Sequence, residues 1–146
     1  MSDVLSPEKR SWNMSRIRGA DTSIEVKVRR ALFKEGFRFR KNMKSLPGKP
    51  DIVLPKYKTV IFVHGCFWHR HPGCKDASMP KTRVEFWKEK FARNIENDIR
   101  NKECLENMGW QVIIIWECEV NSHFDDTMNS VVRRLHLSAE TQTLTR

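Results

Sequence analysis

Three histidines and two cysteines lie within eleven residues in the middle of the chain, at His64, Cys66, His69, His71 and Cys74. Thiolates and imidazoles are the ligands that Zn²⁺ prefers, and a closed structural site has four of them. Cys66, His71 and Cys74 supply three ligands, and Cys118 can supply the fourth from the end of a later strand. The residue types therefore predict a structural zinc site, with His69 as the competing nitrogen ligand. Cys104 is more simply explained as a packed cysteine of a long helix.

A carboxylate, Asp51, begins a predicted strand, and the next strand ends at His64. Oxygen ligands on neighbouring strands can hold Mg²⁺, which keeps waters for a substrate phosphate. On the spacing of Asp51 and His64 alone, the better explanation is that Asp51 simply ends a turn. The metal interpretation needs further support.

Aromatic residues accompany this segment. Phe67 and Trp68 lie between candidate zinc ligands, and Trp87 follows an apolar position of the next helix. Exposed aromatic side chains near basic residues can insert between base pairs, whereas the structural alternative is packing on the loop itself. For Trp87 alone the two interpretations are equally strong.

Positive charge is concentrated in the N-terminal third of the chain. The 146 residues include 27 Lys and Arg against 18 Asp and Glu, a net charge of +9, and most of this excess lies within residues 1–50. The asymmetry favours a polyanion partner, of which nucleic acid is the commonest. A membrane partner is disfavoured because residues 1–20 lack the broad apolar face of an interfacial helix.

The apolar pattern excludes two other classes. The longest apolar run, residues 112–116, is too short to span a bilayer. The N-terminal residues lack the apolar core of a secretory signal. We therefore expect a cytoplasmic protein with reduced cysteines.

Hydrophobic periodicity predicts the element order ααβββαβα. The second and third helices are expected to begin at capping boxes, Thr22-x-x-Glu25 and Thr82-x-x-Glu85, and to end at Gly36 and Gly109. Strands are expected over 37–40, 51–54, 58–64 and 111–117, and the last helix over 124–135. The pattern predicts a single-domain α/β fold, a three-layer α/β/α sandwich around a central mixed sheet. Its parts are a basic arm at 1–20, a domain at 21–137 and a flexible tail at 138–146.

Several motifs occur in one collinear order between about residue 8 and residue 120. They are Arg10-Ser11-x-Asn13-Met14-Ser15-x-Ile17, Asp21-Thr22-x-x-Glu25, Leu46-Pro47-Gly48-x-Pro50-Asp51, Val60-Ile61-Phe62-x-His64-Gly65-Cys66-Phe67-Trp68-His69, Phe86-Trp87, Gly109-Trp110-x-Val112 and Trp116-Glu117-Cys118. In these motifs the sequence resembles the very-short-patch mismatch repair endonucleases, and the block over 62–69 is the most specific of them.

The resemblance implies a restriction endonuclease-like fold and a Mg²⁺-dependent endonuclease that acts on double-stranded DNA. It implies a nick on the 5′ side of the thymine in a G·T mismatch. Such mismatches arise by deamination of 5-methylcytosine, so a cytosine-5 methyltransferase and mismatch-repair proteins are implied partners. A monomeric, bacterial, cytoplasmic enzyme is implied as well.

The resemblance also implies roles for individual residues. Asp51 corresponds to a carboxylate shared by two Mg²⁺ ions, and the carbonyl of Val63, where the family commonly has threonine, completes that site. His69 corresponds to the catalytic imidazole and Asp98 to its orienting partner. The remaining implied roles are support of the active site by His64 and Glu25, binding of one Zn²⁺ by Cys66, His71, Cys74 and Cys118, intercalation by Phe67, Trp68 and Trp87, and contact of the arm with DNA through Arg10, Asn13, Met14, Arg16 and Arg18.

Two alternatives remain at this point. A restriction endonuclease of the same fold would cut both strands and would normally act as a dimer. A non-catalytic, zinc-stabilised DNA-binding module would bind without cleaving, although the combination of Asp51, His64 and His69 argues against it.

Overall fold

The computed structural model describes residues 23–144, with side chains described as far as residue 140. The predicted first helix, the basic arm with its five candidate DNA contacts, and Thr22 of the first capping box lie outside this range. The described elements are α1 (Ser23–Lys34), β1 (Arg40–Lys41), β2 (Ile52–Leu54), a 3₁₀ turn (Pro55–Tyr57), β3 (Thr59–His64), α2 (Val84–Asn107), β4 (Gln111–Trp116), α3 (Glu117–Ser122) and α4 (Phe124–Leu144).

The four strands form one mixed sheet in the order β1-β2-β3-β4. The first two pairings are antiparallel, and β3 pairs with β4 in parallel, with His64 opposite Trp116 at their carboxyl ends. Every residue of β2 and β3 is buried, as expected for strands covered on both faces. The predicted α/β fold with a central mixed sheet is confirmed.

Helices cover both faces of this sheet. On one face, Ile61 and Ile113 pack in a cluster with apolar side chains of α1, α3 and α4, among them Leu32. On the other face, Val60 packs in a second cluster with Leu105 of α2. The alternation of side chains along each strand therefore builds a three-layer sandwich.

Two glycines end helices as the sequence predicts. Gly36 has a φ of 96° and Gly109 a φ of 92°, a region that residues with a Cβ rarely adopt. After each glycine the next N–H donates to the carbonyl five residues earlier, from Phe37 to Leu32 and from Trp110 to Leu105. Both ends are Schellman caps, which turn the chain directly into the following segment.

Four local expectations are wrong. α2 begins after Arg83, which has a φ of 54°, so Thr82 makes no capping bond. Of the expected first strand over 37–40, only Arg40 pairs with β2, and the pairing continues to Lys41. The short helix α3 follows β4 directly and was not expected. The last helix continues to Leu144, past the expected boundary at residue 137. Next to this boundary, the side chain of Ser138 hydrogen-bonds Gln111 at the start of β4.

Among the described residues, no helix is both long and apolar enough to cross a membrane.

Candidate active site and metal cluster

A cleft of about 890 Å³ opens at the carboxyl ends of β3 and β4, where the chain leaves the sheet for its loops. Its walls come from α1, from α2 and from the loops before β2 and after β3. The cleft brings together eight residues that were predicted from the sequence: Glu25, Asp51, Val63, His64, Phe67, Trp68, His69 and Asp98.

Asp51 lies at the bottom of this cleft, directly before β2, and is only 8% exposed. Its Oδ2 accepts a hydrogen bond of 2.6 Å from the backbone N–H of Val63. Burial raises the pKa of Asp51 from 3.8 to about 7; the Val63 N–H opposes this rise, and the negative charge of Glu25 adds to it. The structure therefore places a poorly solvated carboxylate where a cation would restore the balance of charge.

Glu25 supplies the second carboxylate from the first turn of α1, and it is also buried. Its Oε2 lies 3.5 Å from a guanidinium nitrogen of Arg29, one helical turn later. Two buried carboxylates that repel each other form a hard, oxygen-rich donor set, which suits Mg²⁺. The residues present thus fit a divalent cation.

Two histidines lie against each other beside these carboxylates. The rings of His64 and His69 stack with centroids 3.7 Å apart and planes 5° apart. Burial, with a contribution from His69, lowers the pKa of His64 to about 4, so His64 is neutral at neutral pH. The buried Nδ1 of His64 has no hydrogen-bond partner among the described residues.

His69 is held from the other side by α2, because its Nδ1 lies 2.7 Å from Oδ2 of Asp98. An imidazole that donates from Nδ1 to a carboxylate is fixed as the tautomer whose Nε2 can accept a proton. The pair therefore has the chemistry of a general base with an orienting carboxylate.

A second cluster lies next to this site. Donor atoms of Cys66, His71, Cys74 and Cys118 all lie within 4.8 Å of one another. Nδ1 of His71 is 3.6 Å from the sulfur of Cys66 and 3.4 Å from that of Cys118. Tetrahedral ligands of Zn²⁺ are about 3.6 Å apart when one is nitrogen and the other sulfur. The cluster can hold zinc, and the structure groups His71 rather than His69 with the cysteines.

The surroundings of this metal cluster (Cys66, His71, Cys74 and Cys118) fix its geometry. The His71 ring stacks on Trp116 with centroids 4.2 Å apart. The backbone N–H of Cys118 donates to the sulfur of Cys66 at 3.4 Å. Burial raises the pKa of the Cys66 thiol to about 12, so a cation that binds this sulfur must displace its proton. These contacts join the loop after β3 to the junction of β4 and α3.

The predicted intercalating residues form an aromatic cluster (Phe67, Trp68 and Trp87), of which Phe67 and Trp68 line the cleft. The Phe67 ring lies 5.1 Å from Trp68 and 6.0 Å from Trp87, edge to face in both cases. All three side chains are half-buried. The cluster packs against Phe91 of α2, which is buried, and the ring centroids of Phe67 and Phe91 are 5.3 Å apart.

Sequence reasoning missed one residue of this site and misjudged one cysteine outside it. Asn94 donates from Nδ2 to the carbonyl of Trp68 at 3.0 Å. It lies four residues before Asp98 on α2, a spacing that places both on one face and could have revealed it. Cys104 is exposed rather than packed in the core, because α2 turns that face to solvent.

Fold and site together define a class. A mixed sheet between helical layers, with a buried aspartate and an imidazole–carboxylate pair at the ends of its strands, is the architecture of a nuclease with a restriction endonuclease-like fold. Comparisons with known proteins agree. Residues 2–76 match the family described as DNA mismatch endonuclease Vsr.

Three relatives cover most of the chain. The type II nicking enzyme V.NmeAIP of Neisseria meningitidis is 47% identical over 137 residues, 92% of this chain and 97% of its own length. The type II nicking enzyme V.XorIIP of Xanthomonas oryzae is 45% identical over 121 residues, 83% and 88% of the two chains. The DNA mismatch endonuclease Vsr of Escherichia coli is 43% identical over 135 residues, 92% and 86% of the two chains.

The chain belongs to the Vsr family of DNA mismatch endonucleases. It is a DNA endonuclease, an enzyme that hydrolyses phosphodiester bonds, and DNA is its partner.

Proposed function

We propose that this enzyme nicks one strand of double-stranded DNA, on the 5′ side of the thymine in a G·T mismatch, with Mg²⁺ as cofactor. One observation supports this proposal above the others. Trp68 of the aromatic cluster and His69 of the imidazole–carboxylate pair are consecutive residues, and both line the cleft that contains Asp51. A base step opened by the aromatic ring would therefore lie beside the phosphodiester that is hydrolysed.

The carboxylates would hold the cofactor. Asp51 and Glu25 are the buried oxygen donors, and the backbone carbonyl of Val63 is the further ligand that the family resemblance implies. Two Mg²⁺ ions bound there would stabilise charge on the phosphate and on the leaving 3′ oxygen. Because this ligand comes from the backbone, it should survive the replacement of the common threonine by valine, whereas any role of the threonine hydroxyl is lost.

His69 would activate the attacking water. Its Nε2 takes the proton as the water oxygen bonds to phosphorus and the 3′ oxygen leaves. Asp98 holds the Nδ1 proton and stabilises the imidazolium that forms. His64 stays neutral and stacks on His69, so it restrains the ring in the plane that the 2.7 Å contact with Asp98 requires. His69 and Asp98 act together as base and orienting group.

Recognition of the mismatch would depend on deformability. Phe67 and Trp68 line the cleft, and the half-buried ring of Trp87 packs beside them. A G·T pair unstacks more easily than a matched pair, so insertion costs least at the mismatch. Lys49, Lys90 and Lys102 line the same cleft and can pair with phosphates.

Zinc would have a structural role. One Zn²⁺ bound by the metal cluster would fasten the loop that contains Trp68 and His69 to the end of β4. All four ligand positions are filled by protein side chains, as in structural sites. The basic arm, through residues such as Arg10 and Arg16, would contact the DNA backbone.

Cleavage of end-labelled duplexes tests this proposal. A duplex with one G·T pair and its matched counterpart, each labelled on either strand, are incubated with enzyme and Mg²⁺ over a panel of flanking sequences. We expect cutting of the thymine strand alone, directly 5′ of that thymine, and no cutting by Asp51→Ala. Equal cutting of both strands in matched DNA would favour a restriction enzyme. Binding without cutting on every flank would leave only a DNA-binding module.

The aromatic cluster has its own test. Trp68→Ala should lose preference for the G·T duplex over the matched duplex in binding assays, whereas zinc content stays unchanged. Ile99→Ala is the matched control, because Ile99 is an apolar residue of α2 that is 53% exposed. Equal preference in wild type and Trp68→Ala would argue against intercalation.

A further inference from the structure

The loop between β3 and α2, residues 65–83, contains two residues of the aromatic cluster, the candidate general base His69 and three of the candidate zinc ligands. The metal cluster accounts for its first half only, since its last ligand in this loop is Cys74. The segment after Cys74 has no helix or strand before Val84. A different contact must therefore hold this second half against the site.

The guanidinium of Arg70 makes that contact. Its Nη1 donates to the carbonyl of Phe67 at 3.2 Å and to that of Ser78 at 3.1 Å. Its Nη2 donates to the carbonyl of Ala77 at 2.6 Å. One side chain thus joins the backbone of the aromatic cluster to Ala77 and Ser78 in the second half of the loop.

The same guanidinium lies on the hydrophobic base of the aromatic cluster. Its central carbon is 3.9 Å from the ring centroid of Phe91, which is buried, and 5.5 Å from that of Phe67. A planar guanidinium with five donors can stack and bridge carbonyls at once. A lysine ammonium has neither the plane nor the fork, so the arrangement requires arginine.

The backbone at Arg70 is consistent with a defined role. Its φ of 53° lies in the left-handed region, which costs energy for a residue with a Cβ. This turn separates His69, which faces Asp98, from His71, which faces the cysteines. Arg70 therefore lies between the two functions of the loop, and its hydrogen bonds go to backbone carbonyls rather than to either set of side chains.

We propose that Arg70 is a positioning residue, which holds Phe67 and Trp68 in the arrangement that inserts at a mismatch. The inference rests on the proposed function, because it assumes that the aromatic cluster discriminates mismatched from matched DNA. Arg70 fixes the backbone at Phe67, whereas hydrolysis depends on Asp51 and His69. Its loss should change selectivity in binding more than the rate of the bound complex.

Two variants test this role, Arg70→Gln and Arg70→Lys, with Lys75→Gln as control. Lys75 is an exposed cation of the same loop, so the control removes the same charge. Affinity is measured by fluorescence anisotropy for a G·T duplex and its matched counterpart, without Mg²⁺. Single-turnover cleavage with saturating enzyme and zinc content are measured alongside.

We expect both Arg70 variants to lose about tenfold in the ratio of the two affinities, while Lys75→Gln keeps the wild-type ratio. Single-turnover cleavage should stay within about threefold of wild type, and zinc at about one per chain. Phe91→Leu, which removes the ring under the guanidinium but keeps an apolar core residue, should lose selectivity in the same direction.

Several results would overturn the inference. A wild-type ratio of the two affinities in Arg70→Lys would mean that a positive charge suffices. An equal loss of affinity for both duplexes would mean that Arg70 contacts a phosphate. Loss of zinc would mean that Arg70 supports the metal cluster. A wild type without any mismatch preference would overturn the proposed function and the inference with it. A wild-type preference that both Arg70 variants retain overturns the inference alone.

Discussion

Replacing Asp51 by asparagine should abolish cleavage and, at the same time, stabilise the protein above neutral pH. Burial raises the pKa of Asp51 from 3.8 to about 7. The ionised carboxylate is therefore disfavoured in the folded state relative to the unfolded chain. The asparagine side chain would carry no charge, and its carbonyl oxygen can still accept the 2.6 Å hydrogen bond from Val63.

The size and sign of this effect follow from proton linkage. The folded state binds the Asp51 proton more tightly, so the stability of the wild type falls as pH rises from about 4 to about 7. Above pH 7 the accumulated loss is at most about 4 kcal/mol. At roughly 2–4 °C per kcal/mol for a chain of this length, Asp51→Asn should raise the Tm by up to about 16 °C at pH 8.

Thermal unfolding of both proteins between pH 4 and pH 8, in buffer without Mg²⁺, measures this difference. The gap in Tm should be largest at pH 8 and should close towards pH 4, where Asp51 is protonated. Adding Mg²⁺ should stabilise the wild type and leave the variant unchanged. Glu103→Gln, at an exposed position of α2, is the control and should show neither effect. An Asp51→Asn variant no more stable than wild type at pH 8 would refute the reasoning.

Three further predictions concern the other parts of the site. Cys118→Ser and His71→Ala should lose zinc and stability, whereas His69→Ala should keep its zinc. Metal analysis of the purified variants measures this difference. Loss of zinc in His69→Ala and its retention in His71→Ala would exchange the roles of the two histidines. Asp98→Asn should slow single-turnover cleavage by roughly two to four orders of magnitude with DNA affinity unchanged. The amide carries no charge to stabilise the imidazolium, and its NH₂ can donate to Nδ1, which would favour the tautomer with the proton on Nε2. A normal rate would contradict this prediction. Deletion of residues 1–19 removes four basic side chains. It should reduce the steepness of log affinity against log salt concentration by at most about 3.6, and zinc content should stay unchanged. An unaltered slope would mean that the arm does not contact phosphates.

Some features of this protein were determined locally and could be predicted from the sequence. Gly36 and Gly109 end their helices because the Schellman cap needs a left-handed residue at one position. The apolar run of β4 predicts a strand covered on both faces, because no polar side chain interrupts it. The residue types of the loop after β3 predict zinc, because thiolates and imidazoles are the ligands that this metal prefers.

The identity of the nitrogen donor required the tertiary structure. His69 and His71 are equivalent by spacing, yet Asp98 of α2 holds one and Trp116 of β4 stacks on the other. Cys118 reaches Cys66 across 52 residues because β3 and β4 pair in parallel with their carboxyl ends level. Such distances depend on strand register and helix packing, which no spacing along the chain encodes.

The same reason explains Asp51 and Arg70. By spacing alone Asp51 was better explained as the end of a turn. Its chemical character comes from burial beside Glu25 and Val63, residues that are distant in sequence. Arg70 belongs to none of the sequence motifs, and its position is defined by three backbone carbonyls and by the ring of Phe91. The sequence by itself determined which kinds of chemistry the side chains could perform. The tertiary structure decided which of these side chains come together in one site, because charge, solvation and hydrogen bonding act through space.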